Sequence, residues 1–370
     1  MKKQELYYIA NYRLPTDRAH GLQVMQMCSA FADTGVAVTL LAPLRSAESA
    51  SLFEYYRMPK KFEIGFLSVW NLTGVIPYLG FWIQSCTFAV NVLRYVRAHR
   101  YTGVLYSRDQ FSLFILSWFI RNPMVYEIHS LTDRILPMHR RVFRSASKIV
   151  AISGGLRDAL VKAGVPKEKI VVAHDAVDPA FFERRGDKQP LRRSYDLPGD
   201  KRVVLYTGSL MSWKGVYTLV DAAQFLPADY AVVLVGGPAV DRLRLQKYAA
   251  AQKLNVVIRE SLRHDQMPAL MAAADVLVIP NSAKDPIGSS YTSPLKFFEY
   301  LASPNPIVAS DVPSLREIGG SQQGVTYCVP DDPKALAASI MAIRAGASFI
   351  RDMSDYTWQR RAEYILGELW

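Results

Sequence analysis

Short apolar runs and longer amphipathic stretches alternate along most of this 370-residue chain. Runs of strand length fall at 6–10, 36–42, 104–107, 124–128, 148–152 and 170–172, the second bounded by Gly35 and Pro43. Stretches of helical period lie between several of them, as over 22–33. The rhythm lapses between His174 and about Lys201, in polar, proline-bearing sequence that carries Arg184, Arg185, Arg192 and Arg193. It then restarts, with strands expected at 203–206, 231–235, 256–258, 276–279 and 307–309. Helices are expected from Gly215 onward and over 241–252, 265–273 and 294–302. A last amphipathic helix at 357–369 places Trp358, Ala362, Ile365 and Leu366 on one face.

Alternation of this kind predicts α/β architecture, with parallel sheets covered by helices on both faces. The lapse divides the chain into a domain at 1–185, a linker at 186–200 and a second domain at 201–350. The final helix, 351–370, is expected to pack back across the boundary. There is no short-period repeat; the two halves are alike in architecture only.

One segment departs from the rhythm. From Ile64 to Leu93 there is no formal charge, a stretch longer than the ~20 residues that a spanning helix needs. Asn71, Gly74, Pro77, Gly80, Gln84 and Asn91 interrupt it, so an unbroken helix is expected only over about 78–96, followed by Arg94, Arg97, His99 and Arg100. A buried or partly exposed helix is the preferred reading, ahead of a peripheral membrane contact and then a true span.

Charge and cysteines refine this picture. The net charge of +11 is uneven: 25 Lys and Arg against 15 Asp and Glu in 1–190, but 19 against 18 in 191–370. A basic first half fits an anionic partner such as phospholipid headgroups or a lipid-linked phosphate, and it equally serves solubility. Cys28, Cys86 and Cys328 are widely spaced and odd in number, which suits a reducing compartment rather than a disulfide framework or a metal site. The apolar run after Met1-Lys2-Lys3 is too short for a signal-peptide core, so a cytoplasmic protein is expected.

The candidate chemistry is concentrated in two loops. Gly288-Ser289-Ser290-Tyr291-Thr292-Ser293-Pro294 follows the 276–279 strand and leads into a helix, with Ser293 read as its cap and Pro294 as its first residue. Ligands bind at such strand ends in doubly wound sheets, and a helix N-terminus offers N–H donors to a diphosphate. Glu299, more than one turn in, suits a ribose diol, although an ordinary capped helix with a satisfied glutamate explains the spacing as well. The second loop, Tyr206-Thr207-Gly208-Ser209-Leu210-Met211-Ser212-Trp213-Lys214-Gly215, is neither a dinucleotide fingerprint nor a P-loop. Its glycines permit close approach and Lys214 offers a point charge to phosphate.

Together these stretches resemble the retaining GT-B glycosyltransferases of the GT4 family over nearly the whole chain. The 206–215 loop resembles that family's phosphate loop, and Thr292 to Tyr300 its nucleotide helix. Met124-Val125-Tyr126-Glu127-Ile128-His129 resembles the strand that ends in its active-site histidine, and Tyr356-Thr357-Trp358 with Arg361 and Ala362 its crossover helix. The resemblance implies two Rossmann-like domains facing across a cleft and a hexosyl transfer from a nucleoside-diphosphate sugar. By that resemblance His129 contacts the transferred sugar. Gly208, Ser209, Lys214, Tyr291, Ser293, Pro294, Leu295, Lys296 and Glu299 hold the donor. Arg18, His20 and Gly21 in the 13–21 loop, with Arg108, line the acceptor side; taken alone, that loop reads equally as plain surface.

Departures from the family pattern stand beside the matches. Tyr291 occupies the position eight before Glu299 where a paired glutamate is usual, Ser209 stands where a basic residue is frequent, and Asp175-Ala176 replaces Asn-Gly. No Asp-x-Asp pair occurs, so no metal clamp on the diphosphate and no cofactor are expected. Taken alone, His129 reads more simply as a satisfied strand-end histidine. His139-Arg140-Arg141 with Arg144 fits either acidic lipid or a solvated helix face.

The expected function is therefore a retaining glycosyltransferase of glycan, glycolipid or cell-envelope synthesis, acting on a glycan or lipid-linked acceptor. It is expected in the cytoplasm, peripheral to the inner face of the membrane. A non-catalytic sugar-nucleotide-binding protein and a sugar-nucleotide epimerase are the alternatives, the latter lacking a convincing set of proton-transfer groups. No nucleic-acid motif appears, and no nucleic-acid partner is expected.

Overall fold

The computed structural model describes residues 4–369 except 17, 45–51, 73, 75, 133, 183–185 and 321. Met1, Lys2, Lys3, Asp17, Arg184 and Arg185 thus lie outside the described residues. The chain forms two compact units, one up to Ile152 with Leu156–Ala173 and the residues from Trp358 on, the other Ser153–Gly155 with His174–Thr357.

In the first unit the described strands are β1 (Glu5–Ile9), β2 (Ala37–Leu44), β3 (Glu63–Ser68), β4 (Val104–Ser107), β5 (Met124–Ile128), β6 (Lys148–Ala151) and β7 (Ile170–Val172). They form one parallel sheet in the order β3-β2-β1-β4-β5-β6-β7. The order reverses between β1 and β4, which opens a crevice at their C-terminal ends. The final helix, Trp358–Gly367, belongs to this unit and packs against the first helix, Ala19–Asp33. It buries Trp358, Ala362, Ile365 and Leu366, the face that the periodicity predicts, and Arg361 beside them.

The second unit repeats the plan with β8 (Arg202–Thr207), β9 (Tyr230–Val235), β10 (Val256–Arg259), β11 (Val276–Ile279), β12 (Ile307–Ser310) and β13 (Val325–Cys328). The parallel order is β10-β9-β8-β11-β12-β13, with its switch point between β8 and β11. Side chains alternate strictly between two cores. Val203, Leu205, Val233, Leu277 and Ile307 face one layer of helices, while Val204, Tyr206, Val232, Val276 and Val308 face the other. A sheet covered on both faces needs apolar residues at every position, which is why these strands read as continuous runs.

Three segments differ from the sequence reading. The uncharged 64–93 stretch opens as β3, which was not anticipated, whereas the helix expected over about 78–96 forms as Pro77–Ala98. The strand β13 was not anticipated: Val325-Thr326-Tyr327-Cys328 is short and mostly half-buried, as an edge strand can be. The segment read as linker carries a helix, Lys188–Ser194, fastened into the second unit by Arg192. That buried guanidinium donates to the carbonyls of Ala273 at 3.0 Å and Lys201 at 2.9 Å and pairs with Asp275. Four-residue spacing in so short a polar helix leaves almost no periodic signal. Among the described residues no helix is long and apolar enough to cross a membrane.

Candidate active site

Each unit gathers charged side chains at its own switch point. In the second unit, β8 ends at Thr207 and the chain turns through Gly208 with φ +116°, a conformation that favours glycine. A Cβ there would lie 3.1 Å from Lys296 Nζ. Gly215 closes the loop against β11, since a Cβ on it would meet the Pro280 carbonyl oxygen at 1.7 Å. The N–H of Thr207 donates to Tyr300 Oη at 2.8 Å, which ties the Leu295–Ala302 helix to the end of β8. Lys296 and Glu299 are brought to the phosphate-loop candidate by that bond.

Two lysines here are buried, and Lys296 lies beneath the exposed Gly208 turn. Lys296 Nζ sits 3.6 Å over the Tyr206 ring and has no hydrogen-bond partner among the described residues. Lys214 Nζ sits 4.0 Å over the Trp213 ring. Burial pulls Lys214 down to about 7, and burial with the neighbouring Lys214 charge pulls Lys296 well below the ordinary lysine range. The Glu299 carboxylate opposes the shift at Lys296 without cancelling it, and an arriving anion would favour the charged forms further.

Glu299 Oε1 lies 3.0 Å from His264 Nε2, and the His264 ring stacks on Phe181 at 4.9 Å with an interplanar angle of 1°. Burial would lower the His264 pKa, but the Glu299 carboxylate outweighs it and the net shift is upward. His264 and Phe181 were not among the sequence candidates. His264 stands alone in a polar stretch 35 positions before Glu299, with no periodicity to mark it.

The helix start needs correction. The cap position is Pro294, the helix begins at Leu295, and the cap makes no side-chain hydrogen bond. Ser293 Oγ instead accepts from the N–H of Asp175 at 2.8 Å. A tertiary partner thus takes the hydroxyl that the local pattern assigns to a cap. Tyr291 is half-buried and ends the π-helical turn Ile287–Tyr291, whose Ser290 carbonyl accepts from Ser153 Oγ at 2.8 Å.

In the first unit the centre is Glu127, 1% exposed on β5. His129 Nε2 approaches Oε1 at 2.6 Å, Gln23 Nε2 donates to Oε1 at 3.3 Å, and Tyr106 Oη donates to Oε2. Arg361 Nη2, from the final helix, pairs with Oε2 at 3.2 Å, and Arg108 Nε lies 3.9 Å from Oε1. Burial would raise the carboxyl pKa, but Arg361, His129 and Arg108 overcome it and hold Glu127 below the usual carboxylate range. Burial and the Arg108 charge outweigh Glu127 at His129 and lower the imidazole to about 4. With the carboxylate ionised and the imidazole neutral, the Nε2–H donates to Glu127 and Nδ1 keeps its lone pair.

Glu127, Gln23, Tyr106 and Arg361 were not proposed as site residues. Glu127 did carry a signal, as the one charge in an apolar strand and two positions before His129, hence on its face. The remaining acceptor-side candidates divide. Arg108 also donates to Gln23 Oε1 and so joins the network. The His20 ring lies 4.8 Å from that of Tyr12, and burial pulls its pKa to about 4. A Cβ on Gly21 would meet Tyr56 Oη at 2.3 Å, whereas Arg18 is exposed at the N-cap of the first helix. His139 is buried and accepts the Leu136 N–H at 2.9 Å, so it does not belong to a solvated or lipid-facing arginine face.

Comparison with known proteins matches both units in order. The model described as Glycosyltransferase Family 4 matches residues 21–181, and that described as Glycosyl transferases group 1 matches residues 201–345. The chain belongs with the group 1, family 4 glycosyltransferases of GT-B fold. An uncharacterized glycosyltransferase of Methanocaldococcus jannaschii is 25% identical over 63% of this chain and 64% of that protein. The D-inositol 3-phosphate glycosyltransferase of Mycobacteroides abscessus is 26% identical over 77% of this chain and 70% of its own. The chain thus spans less than two thirds of the archaeal relative's length. Anabaena Alr3699/HepE, solved with UDP and glucose, shares the fold at a TM-score of 0.69 and 19% identity, over 99% of this chain and 95% of that one. Within this GT-B chain, no group of three or more His, Cys, Asp or Glu side chains able to hold a metal ion occurs among the described residues.

Proposed function

We propose that this chain transfers a hexosyl group from a nucleoside-diphosphate sugar to a hydroxyl acceptor, with retention of configuration. The observation that carries this reading is the pair of buried lysines, Lys296 beneath the Gly208 turn and Lys214 in the loop that follows it. A diphosphate set there draws both lysines into their charged forms, and the N–H groups of Ser293 and Leu295 add donors. Glycosyl transfer builds negative charge on the departing diphosphate, so lysines that take their protons as the donor binds favour the transition state over the bound donor. Glu299, oriented by His264, accepts hydrogen bonds from the ribose, and Phe181 with His264 supplies a flat surface nearby. The neutral His129, its Nε2 held by Glu127, offers Nδ1 to a hydroxyl of the transferred sugar. Arg18, His20, Gly21 and Arg108 serve the acceptor side.

The acceptor is a glycan or lipid-linked precursor in cell-envelope synthesis, and the basic first half meets an anionic membrane at the cytoplasmic face. The test is a thermal-shift screen of UDP, GDP, ADP and their common sugar conjugates with EDTA present, since a ligand of the native state raises Tm by mass action. Uracil nucleotides come first, because the Anabaena neighbour has been solved with UDP-glucose. A shift with one base followed by turnover of its sugar conjugate is the expected result. Absence of any shift at millimolar ligand would remove the donor assignment. A shift without turnover on any acceptor would favour the non-catalytic binding reading, for which Tyr291 in place of a glutamate is the specific observation.

A further inference from the structure

Exposed apolar side chains of the first unit are clustered rather than scattered. Trp70, Tyr78, Phe81, Trp82, Trp118 and Phe119 are exposed to 72%, 90%, 53%, 50%, 59% and 55%. The Trp70 N–H donates to Thr87 Oγ1 at 3.2 Å, which lays the chain after β3 along the Pro77–Ala98 helix. Trp82 meets Phe111 edge-on at 5.4 Å, and Phe111 lies on the Gln110–Leu116 helix packed beside it. From that helix Phe114 meets Trp118 at 6.4 Å. Ring contacts thus join two helices and their flanks into one apolar face. Single exposed hydrophobic residues need no explanation, but a contiguous face of this kind does.

Cations frame it. The Arg141 guanidinium stacks 3.7 Å over the Trp118 ring, and its Nη2 donates to the Ser117 carbonyl at 2.7 Å. Arg97 Nη2 donates to the Phe119 carbonyl at 3.3 Å. Arg94, Arg121 and Arg140 are exposed on the same helices or next to them. Carboxylates are missing: from Ile64 to Tyr126 the sequence holds a single one, Asp109. That side chain is taken up in accepting the N–H groups of Phe111 and Ser112 at its own helix start.

Amphipathic aromatic rings with arginines and no acids are the composition that sits at a bilayer interface, with rings at headgroup depth and guanidinium groups on lipid phosphate. A symmetric pairing of two copies would set the arginines of one against those of the other with no carboxylate to neutralise them. We propose that this face, formed by Trp70, the first half of the Pro77–Ala98 helix and the Trp118–Phe119 turn, is the surface by which the protein docks on an anionic bilayer. It gives a location to the membrane contact in the functional reading above and rests on that reading. The helix lies along the interface and does not cross it.

The experiment is co-sedimentation of the full chain with phosphatidylcholine vesicles and with vesicles containing ~30% phosphatidylglycerol. The variants are Trp82→Ser with Trp118→Ser, and Arg97→Gln with Arg141→Gln. Cys86 is the exposed one of the three cysteines and lies on this helix, so an environment-sensitive dye attached there gives a second readout. Binding to the anionic vesicles, a blue shift of the dye, and a tenfold or greater loss of binding in each folded variant are expected. Should the tryptophan pair perturb the fold, Tyr78→Ser with Phe81→Ser carries the same test. Equal binding by all folded variants would place the contact elsewhere on the basic half and overturn this face while sparing the membrane reading. No binding by the unaltered protein would remove both. A dimer dissolved by the tryptophan substitutions would assign the face to a second copy instead. Nucleotide thermal shift on the same samples separates these failures from failure of the donor assignment.

Discussion

The two units share a strand order and place charged groups at the same topological position, yet they resolve the electrostatics in opposite ways. In the first unit a buried carboxylate, Glu127, is saturated by Arg361, His129, Tyr106 and Gln23. In the second, two buried lysine side chains lie over aromatic rings, and Lys296 has no hydrogen-bond partner among the described residues. A saturated charge holds geometry, whereas an unsaturated one carries a cost that loss of its proton or an incoming ligand of opposite sign removes. The comparison teaches that one crevice satisfies its buried charge internally, whereas the other leaves a buried lysine amine without a hydrogen-bond partner among the described residues.

The sharpest way to break the comparison is to remove one charge from each unit. Arg361→Met should destabilise the protein by ~3–5 kcal/mol, the usual cost of stranding a buried partner charge, whereas Lys296→Met should leave denaturant stability unchanged or raise it. Equal losses in the two variants would show that Lys296 is already compensated. Next comes turnover. Lys214→Ala should lower kcat by roughly 100- to 1000-fold, the range for a lost charge-stabilising donor, with folding intact by circular dichroism. Retained turnover would take Lys214 out of the donor site.

A smaller effect is expected at Glu299. Glu299→Ala should weaken nucleotide binding by about 1–3 kcal/mol, as for hydrogen bonds to a charged group. Unchanged affinity by calorimetry would leave Glu299 as a partner of His264 alone. The mildest prediction concerns pH. Lys214 is held at about 7 in the free protein, and a bound diphosphate would raise it. Nucleotide affinity should therefore be highest below pH 7 and fall as pH rises above it, with proton uptake on binding near pH 8. In the first unit the sign is opposite in origin. His129 is lowered from 6.5 to about 4, so the stability it confers is present above 6.5 and lost as pH falls towards 4. Calorimetry in buffers of different ionisation enthalpy measures the first effect and denaturation against pH the second. A pH-independent affinity would contradict the charge state assigned to Lys214.

Much of the architecture was legible because fully covered parallel strands must be apolar at every position and their helices must be amphipathic. The strands from β8 to β12 and the helix of Trp358 announced themselves in this way. The short edge strand β13 did not, because four residues, three of them only half-buried, are too few to mark a strand. Among the candidate residues, Lys214 and Glu299 could be named because each lies at a fixed offset from a glycine or proline. The environment of Glu299 could not be, since it depends on His264 and Phe181, which reach it through folding.

What the sequence by itself determined is therefore local and periodic: the alternation of strands and helices, two sheets, and the loops at their carboxyl ends. Only the tertiary structure decided which of those loops carry compensated charge and which do not. It brought Arg361 to Glu127 across 234 positions, 361 minus 127, and set Lys296 over Tyr206 beneath Gly208. Periodicity is a property of neighbours along the chain, whereas the pKa of a buried group depends on every charge and dipole within a few ångströms of it, whatever their separation in sequence.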